Sequence, residues 1–197
     1  MERRKPFMQN VRAGGPTTIF DIKVMLCYLL NSLSTPISAE DLLTVIQTEH
    51  LVNYFEYESA MGELCDKGHV VKTTDETGED FYAISKDGAA LVVDLESSLS
   101  MSLRSRAVSA AVRILTFKQN AAENRVEIIP VEEGGYRLCI EVPGMPVPLC
   151  KMELYFPERL QAERARDGFL TDPTLVYTAV LTALTGDMTT LMTALKK

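Results

Sequence analysis

The sequence predicts an α+β protein composed of two small domains. Its 197 residues exceed what one minimal domain needs and suit two. Apolar residues make up 46% of the chain, enough for ordinary cores, and the absence of Trp makes those cores aliphatic. The hydrophobic spacing is helical up to Gly68, then alternates as in strands, and alternates again after Asn124.

The first element is a basic arm followed by a helix. Residues 1–16 are predicted to be flexible, because a Gly-Gly-Pro run separates them from the first helix. The helix begins at Thr18, which forms a capping-box pair with Asp21 three positions later. Leu and Ile side chains then recur at helical spacing, and the helix ends before Pro36.

Two further helices come next. Ser38 begins a short one and has an acidic residue three positions later. Asn53 is a good N-cap for the third helix, which ends at Gly68. We expect Tyr57 to lie in the core and Phe55 to be partly exposed, or covered by a second copy of the chain.

A β-hairpin comes after the third helix. Two strands are predicted at 69–74 and 79–85, joined by a Gly-containing turn at 75–78, and Ser85 caps a further helix. Helix, short helix, helix and hairpin in this order are typical of a winged helix-turn-helix, in which the hairpin is the wing. We therefore assign residues 17–97 to an N-terminal winged helix-turn-helix domain.

The second half is predicted to contain a connecting segment and a small α+β domain. Residues 98–123 form one or two connecting helices. Residues 124–186 form a small antiparallel sheet of three strands with two helices after it, and residues 187–197 are a tail that is helical or frayed. The strands are predicted at 126–131, 136–142 and 149–156. The first helix is predicted from Pro157 to about Asp167, and the second begins at Asp172-Pro173.

Short motifs in a fixed order resemble a known family. They are Ile37-Ser38-x-x-Asp41-Leu42, Val52-Asn53-Tyr54-Phe55, Glu63-Leu64, Tyr82-x-Ile84-Ser85-x-x-Gly88, Gly135-Tyr136, Leu154-x-Phe156-Pro157, Gln161-Ala162 and Val176-Tyr177. By this order, spanning roughly residues 17–185, the chain resembles the Firmicutes family called domain of unknown function 4364, whose members are often labelled transcriptional regulators. The resemblance implies a winged-helix fold and DNA binding, and it brings no established substrate, ligand or operator.

Charge is distributed unevenly along the chain. The net charge is +3 for residues 1–16, −11 for 17–97, +3 for 98–124 and −2 for 125–197. The acidic residues of the third helix would repel phosphates if that helix faced DNA, and duplex binding rests largely on cations. If the chain binds DNA, we expect the cations to come from outside the winged-helix core.

The predicted function is a winged-helix DNA-binding transcriptional regulator that acts as a homodimer. The alternative is an acidic winged-helix module that binds a protein partner without direct DNA contact. The candidate DNA-contacting residues are Arg3, Arg4, Lys5, Arg12, Phe55, Ser59, Lys67, Lys72, Arg104 and Arg106. The arm could instead be a disordered tail, and the connecting-helix cations could form an ordinary solvated face. The C-terminal domain would dimerise or sense a signal whose chemistry the sequence does not identify.

Other classes of protein are disfavoured. The four cysteines stand singly, and the pair Cys65 and His69 has no second pair to complete a metal site, which favours reduced thiols. Neither His50 nor His69 lies in a catalytic motif, so we expect no enzyme activity and no cofactor. The chain has no apolar run of about 18 residues and no apolar stretch behind its basic start, which predicts a cytoplasmic protein without a membrane span.

Overall fold

The computed structural model describes residues 15–33 and 35–194 as a mixed α+β protein with two small antiparallel three-stranded sheets. The chain divides into two compact units, Met1–Ile114 and Leu115–Lys197. The four cations of the predicted arm, Arg3, Arg4, Lys5 and Arg12, lie outside the described residues. None of the described helices is both long and apolar enough to cross a membrane.

The first unit contains helices followed by a hairpin and a further helix. Its elements are α1 (Ile19–Ser32), β1 (Ile37–Ser38), α2 (Ala39–Thr48), α3 (Tyr54–Asp66), β2 (Val70–Thr74), β3 (Asp80–Ile84), α4 (Lys86–Leu95) and a 3-10 turn (Glu96–Ser98). A long helix, α5 (Met101–Glu123), comes next, and the boundary between the units falls within it. The segment predicted as one or two connecting helices is thus mostly one helix.

Local hydrogen bonds at the helix starts confirm the predicted caps. Thr18 and Asp21 form a capping box in which each side chain accepts the other's backbone N–H at 3.0 Å. The side chains of Ser38, Asn53 and Ser85 each accept an N–H from the first turn of the helix that they cap. These bonds satisfy donors that a helix start leaves unpaired, which is why such short segments have defined beginnings.

The two-residue strand β1 was not expected from the sequence. It pairs antiparallel with β3, placing Ile37 opposite Tyr82 and Ser38 opposite Phe81, so the sheet order is β1-β3-β2. The predicted hairpin of β2 and β3 is confirmed. A two-residue strand is too short to show alternation, so only the pairing partner, 45 residues away, defines it.

The core of the first unit is built around α1, which buries seven of its fourteen residues. Most of the other core residues come from β1, α2, α3, β2, α4 and α5, and apart from Tyr57 of α3 they are mainly aliphatic, as predicted. Tyr57 of α3 is buried, as expected, and burial raises the pKa of its phenol. The four cysteines are free thiols, and burial raises the pKa of Cys27 to about 11.

The second unit is a three-stranded antiparallel sheet with helices after it. Its elements are β4 (Arg125–Pro130), β5 (Tyr136–Val142), β6 (Cys150–Phe156), α6 (Arg159–Thr171), α7 (Pro173–Thr185) and α8 (Met188–Ala194), with strand order β4-β5-β6. Leu138 and Ile140 on the central strand pack with Phe169 and Leu170 of α6 to form the core. The predicted alternation of the central strand is therefore confirmed.

The predicted bounds of α6 were wrong at both ends. Pro157 does not begin the helix, because Glu158 is the extended N-cap and Arg159 the first helical residue. The helix continues beyond residue 167, since its last turn buries Phe169 and Leu170 against the sheet. The prediction for α7 is confirmed, because Asp172 accepts the N–H of Leu175 at 2.9 Å and Pro173 is the first helical residue.

Candidate functional site

The outward face of α3 is an exposed surface of the first unit. Five exposed residues recur at helical spacing along it and are called here the α3 stripe: Phe55, Glu58, Ser59, Gly62 and Asp66. The opposite face of the same helix buries Tyr57, Ala60, Met61 and Leu64 in the core. The stripe brings together two residues predicted from the sequence, Phe55 and Ser59, one helical turn apart.

An exposed aromatic pair lies at the N-terminal end of the stripe. Phe55 is 79% exposed and stands edge-to-face with Tyr54, with 5.7 Å between the ring centroids. The Asn53 side chain accepts the N–H of Phe55 at 2.9 Å, which fixes the first turn beneath the rings. We expected Phe55 to be partly exposed; within this chain it is almost fully so, and it can contact a partner without rearrangement.

Small residues come after the aromatic pair along the stripe. A Cβ placed on Gly62 would meet nothing within 4 Å, and Ser59 is exposed beside it. A partner can therefore approach the helix closely at this level. The charged members of the stripe, Glu58 and Asp66, are both acidic, and α3 contains no Lys or Arg. The stripe thus offers an aromatic and small-residue contact surface within a negative field.

The hairpin of β2 and β3 has a tightly specified turn. The Asp75 carboxylate accepts the hydroxyl and N–H of Thr77, at 2.7 and 2.8 Å, and the N–H of Glu79 at 2.9 Å. Gly78 has a φ of 87°, a left-handed conformation that glycine adopts without strain. On the adjacent strands Lys72, a candidate DNA contact, is paired with Asp80 at 2.8 Å.

The Asp75 turn predicts a pH dependence in the hairpin. Hydrogen bonds from Thr77 and Glu79 hold the pKa of Asp75 below its usual range, so the carboxylate stabilises the turn at neutral pH. Because the folded pKa is the lower one, this stabilisation is complete above the ordinary value of about 3.9 and is lost as pH falls through the folded pKa. We expect the amide NMR shifts of Thr77 and Glu79 to titrate with a midpoint below about 3.9 and to lose that titration in Asp75→Asn. A midpoint at or above that value would contradict the assigned hydrogen bonds.

Lys67, the candidate DNA-contacting cation at the C-terminal end of α3, lies beside the α3 stripe and is not part of it. Lys67 is 3.9 Å from Glu63, which also forms a close ion pair with Lys23 of α1. The hydrogen bond from Lys23 holds the pKa of Glu63 below its usual range. The Lys23 pair joins residues 40 positions apart, and no local sequence pattern indicates it.

The candidate arginines of α5 also contact the body of the first unit. Arg104 is 3.6 Å from Glu96, and its guanidinium carbon is 5.6 Å from the centre of the Tyr28 ring. Arg106 has two buried guanidinium nitrogens with no hydrogen-bond partner among the described residues. Arg113 is paired with Glu49 at 2.9 Å. Arg104 and Arg106 are thus partly buried, whereas the paired Arg113 is exposed.

Comparison with known proteins gives one match. A family model described as Domain of unknown function (DUF4364) matches residues 22–184. No curated protein and no solved structure matches the chain. In the part of the chain that the structure describes, no group of three or more His, Cys, Asp or Glu side chains could hold a metal ion.

Proposed function

We propose that this chain, which belongs to the Domain of unknown function (DUF4364) family, is a winged-helix transcriptional regulator that binds DNA as a homodimer. The observation that carries the proposal is the α3 stripe, which presents an exposed aromatic and two small residues on the third helix before a hairpin. In winged helix-turn-helix proteins the N-terminal residues of that helix contact base edges in the major groove. Phe55 has the position and the apolar surface to contact a thymine methyl.

The phosphate contacts in this proposal come mainly from outside α3. The stripe is acidic, and Lys67 and Lys72 each lie within 4 Å of a carboxylate. A contribution from Arg106 of α5 requires its guanidinium to leave the burial that two of its nitrogens have in the described structure. The arm at residues 1–16 supplies the other cations, and basic arms of this kind enter the minor groove in other DNA-binding proteins.

The homodimer is supported by the second unit. Helix α7 contains no charged residue from Pro173 to Thr185, and Thr182 is its only fully buried side chain. Leu181 and Leu184 are both exposed on it. An uncharged helix with exposed leucines is typical of a surface that is covered by another protein. A second copy of the chain gives the paired half-site readers that the regulator proposal requires.

A salt titration of DNA binding tests the proposal. We expect the full-length protein to bind labelled duplex fragments of random sequence, with an affinity that falls steeply as salt increases. Substituting the arm cations by Gln should reduce the slope of log K against log salt by about 0.9 for each cation that meets a phosphate. The arm variant replaces Arg3, Arg4, Lys5 and Arg12, and a control variant replaces Arg159 and Arg166 of α6. No binding at low salt, or binding that salt does not weaken, would contradict the proposal.

The acidic character of the α3 stripe favours one second candidate, a module that binds a basic protein surface. The double variant Glu58→Lys, Asp66→Lys separates the two candidates by the sign of its effect. If the stripe faces DNA, the variant binds duplex more tightly and with a steeper salt slope, since two repulsive charges become attractive. If the stripe faces a basic protein, the wild type binds an arginine-rich peptide, and the variant loses that binding.

A further inference from the structure

A cavity of about 790 Å³ lies in the first unit and is lined by α1, α3 and α4. Its volume is within the range of about 300–1,000 Å³ that small-molecule sites occupy. One part of the lining is apolar, with Ile19, Phe20 and Val24 from α1 and Leu91 and Leu95 from α4. This part would accept a hydrocarbon chain or ring.

The rest of the lining carries cations and an unused polar atom. Lys23 and Lys67 both line the cavity, and both share a single carboxylate, that of Glu63. The other acidic group of the lining, Asp21, already accepts donors at the start of α1 from Thr17 and Thr18. A cavity whose lining combines apolar side chains with ammonium groups that share one carboxylate is suited to an amphipathic anion.

His69 adds a second, independent indication. It lines the cavity, and its Nδ1 is buried with no hydrogen-bond partner among the described residues. Its backbone is fully used, since its N–H donates to Leu64 and its carbonyl accepts from Ser85. Buried polar atoms nearly always have a partner, so this unpaired nitrogen indicates a hydrogen-bonding group that the described residues alone do not supply.

We propose that this cavity binds an amphipathic monocarboxylate. Its apolar part would lie against Phe20, Leu91 and Leu95, and its carboxylate would accept hydrogen bonds from Lys67 and from Nδ1–H of His69. Since Lys67 directly follows α3, such a ligand would link α1 and α4 to the helix that carries the stripe. A role for the ligand as an effector of DNA binding rests on the proposed function, whereas its binding does not.

Calorimetric titration of the full chain without DNA tests the site. The probes are decanoate, decan-1-ol and decylamine below their micellar concentrations, because the three share one chain and differ only in head-group charge. We expect decanoate to bind at least about tenfold more tightly than either of the others, as charge-assisted hydrogen bonds provide. Equal affinity for decanoate and decan-1-ol, or no decanoate binding at millimolar concentration, would overturn the proposal.

Variants locate the site. Lys67→Met should weaken decanoate binding about tenfold and leave decan-1-ol unchanged. Leu95→Trp should fill the apolar part and abolish binding of decanoate, provided that circular dichroism shows a native fold. The matched controls in the second unit, Lys151→Met and Leu160→Trp, should have no effect. If Lys67→Met does not weaken decanoate binding, or if only Leu160→Trp abolishes it, the ligand binds elsewhere and the assignment is overturned.

The decanoate-binding assay and the DNA-binding assay test the two proposals independently, so either can fail without the other. Decanoate binding with the expected variant pattern, together with no binding of duplex at low salt, would support the cavity and contradict the regulator proposal. If both bindings occur, decanoate should change the affinity for duplex in the wild type and not in Leu95→Trp, because linkage requires that a ligand which alters DNA binding be bound itself.

Discussion

Gly88→Ala is expected to destabilise the first unit by about 3 kcal/mol, even though the substitution normally strengthens a helix. Gly88 lies in the first turn of α4, where the backbone of the helix meets the turn between α3 and β2. A Cβ at this position would lie far inside contact distance of the His69 carbonyl oxygen and 2.7 Å from Cδ1 of Ile84. The carbonyl cannot move freely, because it accepts the N–H of Ser85, which caps α4.

Gly62→Ala is the matched control for this prediction. Gly62 is also helical, but a Cβ there meets nothing within 4 Å. The substitution should therefore stabilise the protein by up to about 1 kcal/mol, the difference in helix propensity between Ala and Gly. Urea unfolding followed by circular dichroism measures both, and the first unit is the one expected to unfold earlier in Gly88→Ala. A Gly88→Ala protein as stable as the wild type would show that α4 is not seated against His69.

The contrast between the two glycines shows that local contacts can be predicted from the sequence, whereas contacts between distant residues cannot. Helix starts at Thr18, Ser38, Asn53 and Ser85 could be predicted because a cap and the donor it satisfies are two or three positions apart. Nothing around Gly88 indicates that a carbonyl nineteen residues earlier in the sequence fills the space beside it. Separation along the sequence also made β1 unpredictable, because only its pairing with β3 defines it.

Some features of the candidate site could likewise be predicted from the sequence, and others could not. Helical spacing was sufficient to place Phe55 and Ser59 on one outward face and Tyr57 inside, because the period of a helix is local information. It did not show that Lys23 and Lys67 share Glu63, or that His69 lines a cavity with them. These groups come from α1, from the end of α3 and from the turn after it, and only the folded unit brings them together.

Helix α7 gives the second prediction, which concerns self-association. If a second copy covers the uncharged surface of α7, then Leu184→Glu should raise the dimer Kd by roughly 100-fold or more. Leu184 is 81% exposed within one chain, so the substitution costs the monomer little and acts mainly on the covered state. Burying a leucine provides about 1.5–3 kcal/mol, and a carboxylate in its place loses this and must also be desolvated.

Val93→Glu supplies the control, because Val93 is 77% exposed on α4 in the first unit and receives the same charge. Analytical ultracentrifugation over a range of protein concentrations should show a dimer for the wild type and Val93→Glu, and a monomer for Leu184→Glu.

A monomeric wild type would remove the homodimer from the proposed function. A Leu184→Glu protein that remains dimeric would move the contact away from α7, and loss of the dimer in Val93→Glu alone would place it on the first unit. In the proposed regulator the two half-site readers would act together only in the dimer, so Leu184→Glu should also weaken duplex binding. Gly62→Ala alters the α3 stripe itself and should leave the dimer intact.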